Sequence, residues 1–173
     1  AEQFYGRLTS LIRQLVTALP APLSLIGLSI ASASGNTVLV GRDGRPLRPA
    51  ISWLDQRLNQ HQEENPDQMR DPGAEAILGR FDPAETHRIV GWPYLRSFPL
   101  AHLAWLKAHQ AELLTKAEKV CLSTDYVTYR LTGEWCIDPS TATTFYLQDQ
   151  VRQQWHQPFL DALDLKQAQL PEI

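Results

Sequence analysis

The stretch Thr37–Arg57, TVLVGRDGRPLRPAISWLDQR, decides the fold of this chain more than any other segment. An apolar run, Val38–Val40, is followed by Asp43-Gly44 and by a second apolar piece that ends at Trp53. An Asp-Gly pair between two β-prone runs predicts a tight hairpin turn, because such turns need positive φ angles that glycine adopts at little cost. A polar exit, Asp55-Gln56-Arg57, follows. The segment therefore predicts a β-hairpin that leads into a polar loop.

Helices and strands are predicted to alternate on both sides of this hairpin. The pattern upstream predicts a helix from Ala1 to Leu19 and a strand, buried on both faces, over Leu23–Ile30. The predicted elements downstream are helices over Gln56–Glu64, Ala74–Gly79, Pro83–Val90, Gln110–Ala117, Ser123–Gly133 and Pro158–Leu163, a helix from Pro99, and strands over Lys119–Leu122, Trp135–Ile137 and Phe145–Gln148. This alternation is typical of the α/β class.

Two predicted helices carry their own end signals. Asp82 is suited to cap the helix that begins at Pro83, where proline is tolerated in the first turn. Ser123 is a candidate cap for the helix that ends at Gly133, and Asp125 favours its positive N-terminal end. These signals predict where both helices begin and where the second one ends.

The composition is that of an ordinary globular protein and excludes several partners. The 173 residues are 43% hydrophobic and 20% charged, with a net charge of −3. This balance gives no electrostatic basis for binding nucleic acid or an anionic membrane. No apolar run approaches the roughly 20 residues that a membrane span needs. We therefore expect no nucleic-acid or membrane partner and a cytoplasmic location.

Cysteine and histidine positions give no sign of a metal site. Cys121 and Cys136 lie in apolar, β-like contexts, so buried free thiols are favoured over a disulfide or a metal role. The five histidines show no ligand spacing. The sequence predicts neither a disulfide nor a metal centre.

The hairpin and a second segment together resemble the FGGY family of carbohydrate kinases. In that family a "DG+PL+PAI" hairpin and a "W-x-D-x-R" motif lie beside the sugar pocket, and Thr37–Arg57 carries both in order. Lys119–Asp138, KVCLSTDYVTYRLTGEWCID, resembles the family's "D-Y-x-x-x-x-L-T-G-x-x-x-x-D" stretch. The resemblance is greatest to xylulose kinases. It implies part of a ribonuclease-H-like, actin-like ATPase domain, with a mixed sheet and flanking helices.

The resemblance also implies candidate substrate-binding residues, beginning with the loop before the hairpin. Family members place sugar-binding side chains where Ser34 and Gly35 stand here: an Arg-Glu pair in glycerol kinases and a Met-His pair in xylulose kinases. This chain departs at both positions. Either it takes a different sugar, or Asn36 and backbone groups complete the pocket. The competing interpretation is that Ser-Gly-Asn only makes a turn.

Four further candidates follow from the same comparison. Trp53 matches a tryptophan that packs on the substrate, although a core role is an alternative. Asp55 and Arg57 match the "D-x-R" and are interpreted either as substrate ligands or as an ion pair that closes the loop. Ser97 falls where glycerol kinases carry a sugar-contacting tyrosine. Asp138, in contrast, is expected to order a turn.

The resemblance predicts that the chemistry depends on parts that this sequence does not contain. We expect residues 1–173 to be a partial N-terminal sugar-binding domain, lacking the opening phosphate-motif strands, the general base and the C-terminal ATP domain. ATP and Mg²⁺ would serve the full-length enzyme, and the isolated chain is predicted to bind neither and to be inactive. The alternative is a non-catalytic α/β binding or regulatory domain built on the same scaffold. An uncovered edge of the predicted strand Leu23–Ile30 would favour a homodimer or poor solubility.

Overall fold

The computed structural model describes residues 1–20, 26–55, 71–93 and 98–173. The helices of these residues are α1 (Glu2–Ala18), α2 (Pro72–Leu78), α3 (Pro83–Val90), α4 (Pro99–His109), α5 (Ala111–Lys116), α6 (Ser123–Thr132), α7 (Pro139–Ala142) and α8 (Gln157–Leu163). Their strands are β1 (Val38–Val40), β2 (Lys119–Cys121), β3 (Gln148–Asp149) and β4 (Gln154–Trp155). The described residues combine helices with two small antiparallel sheets, β1–β2 and β3–β4, in agreement with the predicted α/β class, although four helices follow one another between β1 and β2.

The predicted hairpin forms, and it connects distant parts of the chain. Gly44 has a φ of 72°, as the turn requires. Thr37 and Ile51 exchange backbone hydrogen bonds of 2.8 and 2.9 Å, and the Leu47 amide donates to the Leu39 carbonyl at 2.8 Å. The returning arm makes such isolated bridges, whereas β1 pairs in an antiparallel register with β2. β1 thus holds both the hairpin and the segment that leads into α6.

The larger hydrophobic core surrounds α4. Leu100, Leu103 and Leu106 of this helix are at most 2% exposed. The helix packs against α2, α5 and α8. Trp105 lies at the margin of this core. Helix α4 is therefore the rigid element against which the neighbouring loops are positioned.

Helix ends that carry side-chain signals are predicted best. The Asp82 carboxylate accepts a hydrogen bond from the Glu85 amide at 2.8 Å, and Gly91 ends α3 with a φ of 79°. Helix α2 begins at Pro72, two residues before the predicted start, because Asp71 accepts from the Ala74 amide at 2.8 Å. The helix predicted over Gln56–Glu64 lies outside the described residues.

Helix α6 begins with a different cap from the predicted one. The Leu122 amide donates to both carboxylate oxygens of Asp125, at 3.0 Å each. Ser123 is the first residue of the helix, so its hydroxyl does not cap it. Asp125 is better placed because its carboxyl group, at the third position of the helix, reaches back to the amide of Leu122, the residue before the helix. Gly133 ends the helix with a φ of 87°, as predicted.

Strand predictions without a pairing partner are wrong. Residues 26–30 form no strand, and Ile26 is fully exposed; the rest of the predicted strand Leu23–Ile30 lies outside the described residues. An apolar run becomes a strand only where another strand satisfies its backbone, and no described strand pairs with this one. The strand predicted over Phe145–Gln148 is wrong in its first three residues, because a 3₁₀ turn covers Thr143–Phe145, whereas Gln148 belongs to β3, which pairs with β4. Trp135–Ile137 is reduced to a single bridge between Cys136 and Glu172.

The two cysteines have different environments. Both are free thiols, as predicted, and Cys121 is buried in β2. Burial raises the pKa of the Cys121 thiol well above its usual range. The prediction of burial is wrong for Cys136, which is exposed because its segment makes only that single bridge at the surface. Within the described ranges no group of three or more His, Cys, Asp and Glu side chains is arranged to hold a metal ion.

Candidate functional site

The hairpin brings two of the predicted site residues, Asn36 and Trp53, into contact. The Trp53 backbone amide donates to the Asn36 side-chain oxygen at 3.1 Å. This contact follows from the neighbouring Thr37–Ile51 pair, which aligns the start of β1 with the end of the returning arm. The loop of residues 33–36 and the "W-x-D" segment therefore form one surface.

Asn36 also connects this surface to α6. Its side-chain nitrogen donates to the Ser123 hydroxyl at 3.1 Å and to the Ala33 carbonyl at 3.4 Å. One residue further along α6, the Thr124 hydroxyl lies 2.6 Å from that of Ser32. Asn36 uses both ends of its amide to hold the loop, so its geometry is that of a positioning residue.

Gly35 has a backbone conformation that excludes a side chain. Its φ is 79°, and a Cβ atom built on it would lie 2.6 Å from Cε1 of Phe98 and 3.3 Å from Cβ of Trp53. Real Cβ contacts are longer than the first of these distances, so only glycine fits without a shift. Ser34, beside it, is half-buried. Trp53 is 42% exposed and is not among the buried core residues of the described structure.

The outer end of the predicted motif is only partly described. The Asp55 amide donates to the Ser52 carbonyl at 2.9 Å, so a turn follows Trp53, and the Asp55 side chain is half-buried. Arg57 and Ser97 lie outside the described residues. Their predicted sugar-binding roles, and the Asp55–Arg57 pair, remain predictions.

A cavity of about 270 Å³ adjoins the inner side of this loop. Its polar lining residues are Ser32, Asn36, Ser123 and Tyr126, and its apolar ones are Ala1, Phe4, Ala33 and Ala50. The Tyr126 hydroxyl donates to Glu2 at 2.5 Å, and burial raises its pKa to about 12. The polar groups of this mainly apolar cavity are hydroxyls and one amide, and they already make hydrogen bonds within the protein.

The two aspartates of the second motif have structural roles. Asp125 is 1% exposed, and burial raises its pKa to about 8. Asp138 caps α7 by accepting from the Thr141 amide at 2.9 Å, as expected of a turn-ordering residue. Although partial burial acts to raise its pKa, hydrogen bonds from Thr141 hold the pKa of Asp138 below its usual value.

Sequence reasoning missed two residues of this site, Ser123 and Phe98. Ser123 was interpreted as a helix cap, and its contact with Asn36 spans 87 positions. Phe98 directly precedes the helix-opening Pro99 and carried no motif signal. A contact between two segments far apart in sequence leaves no local pattern, so only the fold reveals it.

The fold defined by these elements is that of the sugar kinases. A solved xylulose kinase from Lactobacillus acidophilus matches with a TM-score of 0.83 at 23% identity, covering 99% of this chain and 32% of that chain. A solved gluconate kinase from the same organism matches with the same TM-score of 0.83, also at 23% identity. These likenesses show the fold.

Sequence comparison identifies the family. The FGGY family of carbohydrate kinases, N-terminal domain, matches residues 1–173, and the chain belongs to this family. Xylulose kinase from Staphylococcus xylosus is 29% identical over 149 residues, covering 86% of this chain, and that from Escherichia coli K12 is 30% identical over 146 residues, covering 84%. The chain spans 28% and 27% of the length of these two relatives.

Proposed function

We propose that this chain is the sugar-binding part of an ATP-dependent sugar kinase that phosphorylates a hydroxyl of a small sugar or polyol, with a xylulose-type sugar as the substrate class. The observation that carries the proposal is the half-exposed Trp53 beside the tightly packed Gly35, in a member of this family. An exposed indole offers an apolar face to the C–H side of a sugar. The xylulose kinases among the relatives support the substrate class.

The described residues contribute positioning to this reaction. Trp53 would hold one face of the sugar, while Asn36 fixes the loop and the Trp53 backbone relative to each other. Holding the acceptor hydroxyl in line for attack is a large part of catalysis of phosphoryl transfer. ATP supplies the phosphoryl group and Mg²⁺ neutralises its charge. No described residue is assigned to the binding of ATP or Mg²⁺.

The proposal is tested by comparing the full-length protein with the isolated 173-residue chain. We expect sugar-dependent ADP formation from the full-length protein on a panel of pentuloses, hexuloses, aldonates and polyols. The isolated chain should remain at background, because none of the residues that the structure describes is assigned as the general base, whose removal alone costs roughly 10²–10⁴-fold. ADP release by the isolated chain would contradict its proposed inactivity.

A non-catalytic binding domain is the second candidate, favoured by the absence of a side chain at Gly35. Calorimetry on the full-length protein with the same panel separates the two functions. Sugar binding without ADP formation under any condition would establish the binding domain and refute the kinase.

A further inference from the structure

The ring of Phe98 occupies the volume into which a side chain at position 35 would project. An ideal Cβ on Gly35 would lie 2.6 Å from Cε1 and 2.7 Å from Cδ1 of Phe98. Gly35 itself is buried. The space that a side chain at position 35 would enter is therefore filled by the ring of Phe98, which lies just before α4.

Phe98 is held firmly in this place. It is the residue before α4, and its carbonyl accepts hydrogen bonds from the Ala101 and His102 amides at 2.9 and 3.0 Å. Its ring lies 4.9 Å from that of Tyr146, whose buried hydroxyl donates to the Pro93 carbonyl at 2.9 Å. The backbone, the ring partner and the packing against the core together fix the orientation of the ring.

Phe98 and Trp53 approach Gly35 from two directions. The Cβ atom of Trp53 is 3.3 Å from the same ideal position, so both aromatic residues border the loop. Phe98 is half-buried and Trp53 is 42% exposed. A phenyl ring forms no conventional hydrogen bond, so it discriminates between ligands by size and shape.

We propose that Phe98 is a specificity-determining residue of the sugar pocket: its ring, and not a side chain of the 33–36 loop, limits the size of the sugar accepted beside Trp53. This inference rests on the proposed function, because it assigns a role within the same site. It concerns discrimination among sugars, and not the transfer step. A one-carbon difference in an apolar pocket changes kcat/KM by roughly 10- to 200-fold.

The test compares Phe98→Leu and Phe98→Ala in the full-length kinase. The measured quantity is the ratio of kcat/KM for the six-carbon D-fructose to that for the five-carbon D-xylulose and D-ribulose. We expect the ratio to rise by about 10-fold in Phe98→Leu and further in Phe98→Ala. The KM for ATP should stay within about twofold of the wild type, since the ring borders the sugar wall. If Phe98→Ala fails to fold, Phe98→Leu decides.

Phe81→Leu is the matched control. Phe81 is also a half-buried phenylalanine at the margin of the core, where it makes an edge contact with Phe159 at 4.7 Å. This change should lower the melting temperature and leave the sugar ratio unaltered. An unchanged ratio in both Phe98 variants of an active kinase would overturn this inference alone. A wild-type protein that phosphorylates no sugar of the panel would overturn the proposed function, and this inference with it.

Discussion

At the scale of single residues, Asn36 determines how the two halves of the candidate site are held together. Its amide accepts from the Trp53 backbone and donates to Ser123 on α6. An amide is suited to this place because it combines an acceptor and two donors in one plane. Neither aspartate nor serine provides both functions with the same reach.

Asn36→Ala should therefore affect stability and sugar binding together. We expect a loss of about 1–3 kcal/mol in the free energy of unfolding, because several hydrogen-bonding groups lose their partner. The sugar KM of the full-length kinase should rise, since the Trp53 backbone is released. Thermal melting and steady-state kinetics on one preparation measure both effects. Ser32→Ala, which breaks only the contact with Thr124, serves as control; an equal rise in KM in both variants would contradict the role of Asn36.

Trp53→Ala tests the sugar wall directly. We expect a higher KM for the sugar and a lower kcat, because an acceptor hydroxyl that is held loosely loses alignment as well as affinity. If Trp53 had only a core role, its replacement by alanine would instead lower the free energy of unfolding by about 3–5 kcal/mol and leave KM and kcat nearly unchanged. Trp53 is 42% exposed, so the loss in melting temperature should be small.

The matched control is Trp92→Ala. Trp92 is 45% exposed and donates to the Thr143 hydroxyl at 2.8 Å, outside the Trp53–Gly35 surface. Its removal should leave the sugar KM unchanged. A large loss of stability in Trp53→Ala with unchanged KM and kcat would contradict a sugar-binding role for Trp53. The loop of residues 33–36 would then be the remaining candidate for sugar binding.

At the scale of elements, the junction between β2 and α6 depends on a buried carboxyl group. The carboxyl group of Asp125 accepts a hydrogen bond from the Leu122 amide. Burial raises the pKa of Asp125 to about 8, above the usual value of about 4. The folded protein therefore binds this proton more tightly than the unfolded chain does. The stabilisation from Asp125 is complete below about pH 4 and is lost as the pH rises toward 8.

Asp125→Asn should remove this pH dependence, because the amide remains neutral and keeps an acceptor oxygen. Relative to wild type, the free energy of unfolding of the variant should increase as the pH rises from 5 to 8, by roughly 1 kcal/mol per pH unit. Urea unfolding across this range measures the difference. A difference that does not vary with pH would contradict a protonated Asp125.

Asp138→Asn is the control with the opposite sign. The pKa of Asp138 is held below its usual value, so its contribution is present at neutral pH and is lost as the pH falls through the folded-state pKa. This variant should be destabilised at pH 7 and approach the wild type in acid. The two aspartates of one motif should thus respond to pH in opposite directions.

The elements also show which parts of the fold could be read from sequence. Helix α3 was predicted with its correct bounds, and its start has a local signal, because Asp82 lies directly before the helix that it caps. The hairpin was predicted because Gly44 determines the turn locally. Residues 26–30 were mistaken for a strand, since pairing depends on a distant segment that an apolar run does not specify. The same holds for the candidate site. Trp53 was predicted from the family motif, whereas Phe98 was identified only from its contact with Gly35, which is distant in sequence.

At the scale of the whole molecule, α1 presents an uncovered apolar face. No residue of this helix is buried, and Leu11 and Leu15 are 57% and 67% exposed. The helix is attached near its start, where the Tyr5 hydroxyl donates to the Arg130 carbonyl at 2.9 Å. An exposed stripe of this kind favours association.

The isolated chain should therefore self-associate through α1. Leu11→Gln combined with Leu15→Gln should weaken the association at least about 10-fold, since each leucine contributes about 1.5–3 kcal/mol when buried. Glutamine keeps the helix propensity close to that of leucine. Sedimentation velocity at several concentrations measures the effect. Val151→Gln, at an 83% exposed valine away from α1, should leave it unchanged; a monomeric wild-type chain at all concentrations would contradict the prediction.

The contact between Gly35 and Phe98 has a consequence for how this site changes during evolution. A larger residue at position 35 collides with the ring as long as Phe98 is present, and it must also adopt a φ of 79°. A smaller residue at position 98 removes this collision, at the cost of a cavity beside Tyr146. Substitutions at the two positions therefore become acceptable in one order, position 98 before position 35. The loop of this chain cannot gain a sugar-binding side chain at position 35 in a single step.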